Sequence, residues 1–597
     1  MAHSYLLTQK STSGQTDIEI LELISLDGLR RLLAKPSTSV QLGILGVIAG
    51  ISSALVIILF RVTIEKTQGL FLPHFDNFTE LDLVFRFLLP FIAVVILILI
   101  GFRGTKRDFR MGIPFAIHWL KVKKGAMPLR NAFYQFFGGA VALISGFSVG
   151  REGPAVHLGA TFASYFGNLL RLPYNSIRTL TGCGISAAIA ASFNTPLAAV
   201  VFVMEVVFRE YKIHIFIPIM LSAVAGTLLT RMVFGDQHEL SIFSQAKFDT
   251  INYAYLIICS AGISAVAYAF NTSLMKITAH FKPVKIYYRL ALAALITAFI
   301  GILVPQALGS GMGAIQFATI DLQNYEALSF FGLIVAILVA KFVATIFALG
   351  LSVPGGVIGP VMGIGVLLGA IFGLISQYLG FEGNQVALYA VLAMAGMMAA
   401  TLHSPLAALV ALLELTANPE IIAPAMLVIA VSYTVSVQVF GNRSIFIQQL
   451  DHQQLPYRQS AAVQTLQKIG VLLSLNRHYK ITEDSSEESL RQMLVNTPMG
   501  HSLILADLDM FGSDYKLVQF EDKPTRSNSS MLIENSKIRY IPIQSISAQS
   551  TMAEAFELLQ HQRAGAVLIH NRSDDDIIGI IHWDQLRQLL VERNSLT

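Results

Sequence analysis

The sequence predicts an all-α polytopic membrane protein followed by a small α/β domain, and composition is the first reason. Of 597 residues, 54% are hydrophobic and only 13% are charged, against about 25% charged residues in an ordinary soluble domain. The mean hydropathy is +0.60. Apolar runs recur up to about residue 450, where the composition turns polar. A formal charge of +4 over this length gives no indication of a nucleic-acid partner.

Recurrent apolar runs are the second reason for this fold class. Some runs approach the roughly 20 residues that cross a bilayer, and others are too short to do so. Glycine and proline interrupt several of them, which is typical of broken and tilted helices that pack inside a protein. The runs are Val40–Phe60, Phe87–Phe102, Ile215–Leu229, Tyr253–Phe270, Leu290–Val304, Phe330–Ala340 and Ile421–Phe440.

The two ends of the chain have a different character from the predicted membrane domain, residues 39–450. Residues 1–38 are predicted to be a cytosolic segment with a short amphipathic helix within Asp17–Leu33, because basic residues precede the first apolar run. Residues 451–597 lack any spanning run and are predicted to form a soluble cytosolic domain. The pattern over residues 539–581 predicts the order strand, helix, strand, strand.

The segment Gly150-Arg151-Glu152-Gly153-Pro154 places a carboxylate between two apolar, glycine-rich stretches. A charge inside a membrane costs between about 2.5 and about 17 kcal/mol, depending on how the cost is measured, so Glu152 is a functional candidate. The glycines permit a tight turn, and the proline suits the first turn of a new helix. We therefore predict a helix break whose first N–H groups form an anion site.

An internal repeat divides the predicted membrane domain into two halves, about 39–235 and 250–450. Both Pro196 and Pro405 begin a Pro-Leu-Ala-Ala run, and both are followed nine residues later by a glutamate, Glu205 and Glu414. Transporters built from inverted repeats have this plan, with the substrate site near the midplane between the halves.

Taken together, these residues resemble the CLC family of voltage-gated chloride channels and proton–chloride exchangers. The resemblance implies a CLC-type inverted repeat, one anion pathway per subunit, a homodimer, and cytosolic termini in a plasma or inner membrane. The segments that carry it are Gly150–Pro154, Met111-Gly-Ile-Pro114, Gly355-Gly-Val-Ile-Gly-Pro360 and Asn442-Arg-Ser-Ile-Phe446.

The resemblance also implies the roles of individual residues. Glu152 would be the gate and proton acceptor. Met111 stands where the family has a serine, and Phe446 stands where it has a tyrosine. Both side-chain hydroxyl donors are therefore missing, so we expect weaker or less selective anion binding. Val206 occupies the position of a proton-relaying glutamate, as in the channel branch. The implied anion-binding residues are Met111, Gly112, Ile113, Gly150, Arg151, Gly153, Val357, Ile358 and Phe446.

Residues 451–597 resemble a CBS pair, most clearly at Gly579-Ile-Ile-His-Trp-Asp584. A CBS pair implies an adenosine nucleotide as a candidate ligand, although no phosphate-cradling glycine loop supports one here. We predict no other cofactor and no metal site.

The expected function is transport of chloride or a similar small inorganic anion through a channel gated by Glu152, with proton coupling left open. One alternative is a strict proton–chloride antiporter that uses a non-standard internal proton path. Another is a cation-coupled transporter of organic solutes, in which Glu152 would bind the cation. An intramembrane enzyme is disfavoured because the sequence shows no nucleophile–base motif.

Overall fold

The computed structural model describes most of the chain as two compact units. The membrane unit comprises residues 39–167 and 178–457, and the sheet unit comprises residues 1–38, 168–177 and 458–597. Met111, one of the predicted anion-binding residues, lies outside the described residues. These are residues 26–35, 39–102, 112–122, 125, 127–235, 250–319, 331–380, 386–457, 460–498, 501–509, 512–521, 537–571 and 576–594.

Helices make up nearly all of the membrane unit. The helices of its first half are α2 (Ser39–Gln68), α3 (Leu83–Phe102), α4 (Gly112–Val122), α5 (Leu129–Ile144), α6 (Glu152–Leu169), α7 (Tyr174–Phe193), α8 (Pro196–Phe202, continued by a π-helical turn over Val203–Phe208) and α9 (Ile213–Phe234). Those of its second half are α10 (Thr250–His280), α11 (Ile286–Leu303), α12 (Met312–Thr319), α13 (Phe331–Gly350), α14 (Ile358–Tyr378), α15 (Val386–Leu402), α16 (Pro405–Thr416), α17 (Ile422–Thr434, continued by a π-helical turn over Val435–Val439) and α18 (Ile445–His452). The polytopic, mostly helical fold class predicted from the sequence is therefore confirmed.

Eight helices within the described residues are long and apolar enough to cross a membrane. Seven of them correspond to the seven apolar runs identified in the sequence, to within one residue at the ends of the runs. The eighth, Ile358–Tyr378, was not identified, although its mean hydropathy of 2.3 is high. Because 83% of its most apolar 18-residue stretch is buried inside the protein, its surroundings are mainly other helices rather than lipid.

Helix α14 packs closely against α15 through a stripe of glycines. A Cβ atom on Gly365 would lie 2.8 Å from the Cα atom of Met394, and one on Gly373 would lie 2.6 Å from the Cα atom of Val386. All residues of α15 are buried. Small residues at one face let helices approach in this way, so this pair forms the centre of the second half.

The sheet unit contains one six-stranded sheet with the strand order β1-β2-β3-β4-β5-β6. Its two halves have the same pattern, in which a parallel pair is followed by an antiparallel strand, and the halves meet where β3 pairs antiparallel with β4. Each half therefore has the order strand, helix, strand, strand, as predicted for the second. The elements are α1 (Leu26–Leu33), α19 (Ala461–Leu466), β1 (Tyr479–Thr482), α20 (Glu487–Asn496), β2 (Ser502–Asp509), β3 (Gly512–Phe520), β4 (Ile538–Ser547), α21 (Met552–Leu559), β5 (Ala566–His570), β6 (Ile577–His582) and α22 (Trp583–Asn594).

Candidate functional site

The starts of α6 and α14 lie side by side, although they belong to different halves of the chain. Gly150 and Gly356 form an isolated antiparallel bridge just before these helices begin. A Cβ atom on Gly153 would lie 2.8 Å from the carbonyl oxygen of Gly355, so the close approach requires glycine. Two helix N-termini therefore meet at one place inside the membrane unit.

The carboxylate of Glu152 lies at this meeting point. Glu152 is the first residue of α6, and its side chain is 1% exposed. Its Oε1 accepts a hydrogen bond from the backbone N–H of Gly359, in the first turn of α14. Its Oε2 has no hydrogen-bond partner among the described residues. The carboxylate thus accepts an N–H at the start of α14, where a free anion would also be stabilised.

Arg151 is buried beside the gate candidate and is 6% exposed. Its guanidinium carbon lies 4.8 Å from the ring centroid of Phe193, at the end of α7. A cation over an aromatic face is stabilised by the ring's quadrupole. Arg151 therefore contributes positive charge next to Glu152 while its side chain is held by α7.

A cavity of about 160 Å³ brings most of the predicted anion-binding positions together. Its lining includes Gly112 and Ile113 at the start of α4, and Gly153 near the start of α6. Val357 caps the N-terminus of α14 and also lines it, as does Phe446 in the first turn of α18.

Three helix N-termini therefore face this cavity, from α4, α6 and α14. The first N–H groups of a helix have no acceptor within the helix, and the helix dipole adds positive potential there. The polar side chains that also line the cavity are Gln135, Thr278, Ser352, Gln449, His452 and Gln453. The sequence contains no signal for this polar set, because its members are scattered over four segments without a motif.

A second, smaller cavity of about 40 Å³ is lined in part by Glu152. Its lining is apolar apart from Glu152 and Thr195, and it includes Ile358 and Phe202. The ring of Phe202 packs edge-on against Phe446 at 6.4 Å between centroids. Glu152 therefore lies beside an apolar cavity.

The repeat-related glutamates have reciprocal contacts. Glu205 accepts hydrogen bonds from the N–H groups of Leu406 and Ala407, at 3.2 and 2.8 Å. Glu414 does the same for the equivalent residues at the start of α8. Val206, next to Glu205, is buried in the π-helical turn and offers no titratable group.

A buried polar network near the start of α12 was also not identified from the sequence. Asp76 accepts hydrogen bonds from both the backbone N–H and the hydroxyl of Ser310, at 3.0 and 2.8 Å. Lys341 is 0% exposed and donates to three successive carbonyl groups, those of residues 307, 308 and 309, at 3.1, 3.3 and 2.6 Å. The charges of Asp76 and Lys341 attract each other. The only signal in the sequence was Lys341, which is the lone charge in the apolar run Phe331–Gly350.

The chain is similar to known proteins over most of its length. The family model described as voltage gated chloride channel matches residues 102–437. The H(+)/Cl(-) exchange transporter ClcA of Vibrio cholerae serotype O1 is 25% identical over 456 residues, which cover 74% of this chain and 95% of that protein. ClcA of Salmonella agona is 25% identical over 450 residues, which cover 72% of this chain and 92% of that protein.

Solved structures with the same fold include three transporters. A slow cyanobacterial Cl−/H+ antiporter has a TM-score of 0.60 at 21% identity and covers 71% of this chain and 98% of its own. A CLC-type fluoride/proton antiporter has a TM-score of 0.57 at 22% identity, covering 68% and 97%. A eukaryotic CLC transporter has a TM-score of 0.55 at 17% identity, covering 91% and 97%.

Proposed function

The chain belongs to the voltage gated chloride channel family, and we propose that it carries chloride or a similar small inorganic anion through a pathway gated by Glu152. Family membership and the apolar helices make it an integral multi-pass membrane protein that transports rather than catalyses. One observation carries the gating role. The Glu152 carboxylate accepts the N–H of Gly359 in the first turn of α14, beside a cavity that three helix N-termini face.

The proposed gate works by competition between two anions for the same N–H groups. When Glu152 is ionised, its carboxylate occupies the start of α14 and excludes a mobile anion. When Glu152 is protonated, it loses its attraction to the helix dipole and swings away, and an anion takes its place. Arg151 and the backbone N–H groups of Val357 and Ile358 then stabilise that anion.

The proposed transport has two candidate mechanisms, a channel and a proton–chloride antiporter, which differ in whether protons move with the anion. A channel is favoured by Val206, because this side chain cannot relay a proton from the cytosolic side. Proton–chloride antiport is favoured by the relatives, which are named H(+)/Cl(-) exchange transporters. Antiport in this chain requires an internal proton path that does not pass through Val206.

The decisive experiment measures anion efflux from proteoliposomes while external pH is recorded. We expect Glu152→Gln to keep anion flux and to lose both its pH dependence and any proton movement. The matched control is Glu80→Gln, which removes an exposed carboxylate. Proton-coupled, pH-dependent flux in Glu152→Gln would rule out the gating role.

The same vesicles separate the channel from the antiporter. Under a proton gradient, a channel reverses at the chloride equilibrium potential, whereas an antiporter reverses away from it. Repeating the measurement with chloride, nitrate and fluoride ranks the anions. Because Phe446 supplies no hydroxyl donor to the cavity, we expect a weakly hydrated anion such as nitrate to compete well with chloride, and fluoride to compete poorly. A preference for fluoride would contradict this ranking and would match the activity in the name of one similar structure.

Three further features of the proposal rest on the family resemblance. We propose a homodimer, cytosolic termini in a plasma or inner membrane, and a CBS pair in residues 451–597. The doubled strand–helix–strand–strand pattern supports the CBS pair, with an adenosine nucleotide near Gly579–Asp584 as its candidate ligand. Light scattering of the detergent-solubilised chain tests the dimer, which should have twice the mass of 65.2 kDa.

A further inference from the structure

The amide group of Gln135 lies in the cavity that the helix N-termini face, and no described residue pairs with it. Gln135 belongs to α5 and is 2% exposed. It lines the cavity of about 160 Å³ together with Gly153 and Val357. Its Oε1 is buried, and its amide makes no hydrogen bond with any described residue. A buried polar group without a partner is unfavourable, so a ligand that pairs with it gains affinity.

The packing of α5 directs Gln135 toward the contact between the two halves. Residues 135, 138 and 139 lie on one face of the helix, because they are three and four positions apart. A Cβ atom on Gly138 would lie 3.2 Å from the Cγ atom of Pro354, and one on Gly139 would lie 2.6 Å from the Cγ atom of Pro154. This face of α5 therefore packs on the first turn of α6 and on the segment before α14. Gln135 lies one turn earlier on the same face.

Two other polar side chains of the cavity already have partners. The hydroxyl of Thr278 donates to the carbonyl oxygen of Leu274 at 2.7 Å, and that of Ser352 accepts from Arg289 at 3.1 Å. Gln453 differs, since its Oε1 is also buried without a partner among the described residues. The cavity thus combines N–H donors, supplied by helix N-termini, with amide oxygens that have no donor.

This combination of donors and acceptors discriminates among small anions. Chloride, fluoride and nitrate can only accept hydrogen bonds, so each would leave the amide oxygens unpaired and would be repelled by their partial negative charge. An oxyanion with a hydroxyl group accepts from N–H groups through its free oxygens and also donates through its O–H. The cavity has room for such an ion, since about 10 to 15 Å³ is enough to hold one water molecule.

We propose, on the basis of the proposed function, that this cavity selects a small oxyanion that carries a hydroxyl group, with bicarbonate as the simplest example. The Gln135 amide accepts the O–H of the ion through its carbonyl oxygen and donates through its NH2 group to another oxygen of the ion. The N–H groups at the starts of α6 and α14 stabilise the negative charge. Gln135 is thus a specificity-determining residue of the anion site.

Titration calorimetry on the full-length chain in detergent tests the proposal, at a mildly alkaline pH where bicarbonate is the main carbonate species. The probes are sodium bicarbonate and sodium nitrate, because both ions are planar oxyanions of the same charge and only bicarbonate has a hydroxyl group. We expect the wild-type chain to bind bicarbonate with a Kd roughly tenfold lower than that of nitrate, through the additional hydrogen bond. Equal binding of the two ions, or tighter binding of nitrate, overturns the proposal. This comparison needs no variant.

Gln135→Met keeps the length of the side chain and removes both its donor and its acceptor, so it should abolish the preference for bicarbonate. The matched control is Gln492→Met, which makes the same change at an exposed position of α20 that does not line the cavity. It should keep the wild-type preference. An unchanged preference in a folded Gln135→Met variant also overturns the proposal.

Chloride flux in proteoliposomes distinguishes this failure from failure of the proposed function. Intact chloride flux in a chain that prefers nitrate to bicarbonate contradicts only the selection of a hydroxyl-bearing oxyanion. A chain that carries none of the three anions contradicts the transport proposal as well.

Discussion

Gly150 and Gly356 exchange two backbone hydrogen bonds, each 2.7 Å between nitrogen and oxygen, and so join the starts of α6 and α14. The two residues come from equivalent segments of the two halves. Their bridge fixes the helix on which Glu152 stands relative to the helix whose N–H it occupies. The position of the Glu152 carboxylate at the start of α14 therefore depends on the contact between the two halves.

Gly356→Ala should abolish most anion flux. A Cβ atom at this position would lie 2.5 Å from the backbone nitrogen of Gly153 and would collide with the Glu152 carboxylate. Overpacking of this kind costs about 1 to 3 kcal/mol. If this cost adds to the barrier to transport, flux in proteoliposomes should fall by about fivefold to a hundredfold.

Gly332→Ala is the control for this substitution, since a Cβ atom there meets nothing within 4 Å. It should transport like the wild type. Wild-type flux in a folded Gly356→Ala variant would show that the close approach of the two helix starts is not needed for transport.

Phe446→Tyr should strengthen anion binding. Phe446 is 2% exposed and lines the cavity that the helix N-termini face. A hydroxyl group added there gives a bound anion a side-chain donor, and a hydrogen bond to a charged group is worth about 1.5 to 3 kcal/mol. Titration calorimetry with chloride should therefore show a Kd at least about tenfold lower.

The control is Phe270→Tyr, which adds the same group to a fully buried ring that does not line the cavity. A chloride Kd that falls equally in both variants would assign the effect to general stabilisation. An unchanged Kd in Phe446→Tyr would mean that this ring does not face the bound anion.

Sequence patterns located the elements that carry a local signal. The break at Gly150–Pro154 needs glycine, proline and a carboxylate in direct succession, so it is visible in a single segment. The Pro-Leu-Ala-Ala repeat identified Glu205 and Glu414, although it did not indicate that each would contact the other half.

Features that arise from long-range packing left no such pattern. Asp76, Ser310 and Lys341 are far apart in the chain, and only the fold brings them together. The membrane helix Ile358–Tyr378 was not identified because its glycines, which permit tight packing against α15, interrupt the apolar run.

Lys341→Met should destabilise the membrane unit severely. The fully buried ammonium group donates to three carbonyl groups and balances the charge of Asp76. Methionine fills similar space but leaves the carbonyl groups without donors and the carboxylate without its cation. A buried charge left without a compensating opposite charge costs about 3 to 5 kcal/mol, which should lower the unfolding temperature in detergent.

Lys276→Met, at an exposed position of α10, is the control and should unfold near the wild-type temperature. Adding Asp76→Asn to Lys341→Met should recover part of the loss, because it removes the unbalanced charge. A double variant less stable than Lys341→Met would contradict an electrostatic attraction between the two residues.

Glu205→Ala and Glu414→Ala should each loosen the contact between α8 and α16. Both helices begin with a proline that has no N–H. The side chains of the capping residues, Thr195 and Ser404, accept no hydrogen bond from their own helices. The glutamate of the opposite helix fills this role, so its loss leaves two N–H groups without acceptors. We expect a fall of about 2 kcal/mol in the free energy of unfolding for each variant.

The reciprocal geometry also predicts how the two losses combine. Because either substitution loosens the same helix pair, the double variant should lose less stability than the sum of the single losses. The control is Glu487→Ala, which breaks an exposed ion pair with Arg491 and should cost less than about 1 kcal/mol. Strict additivity in chemical unfolding would mean that the two caps act independently. If either single variant were as stable as the wild type, the glutamate it replaces would not act as a cap.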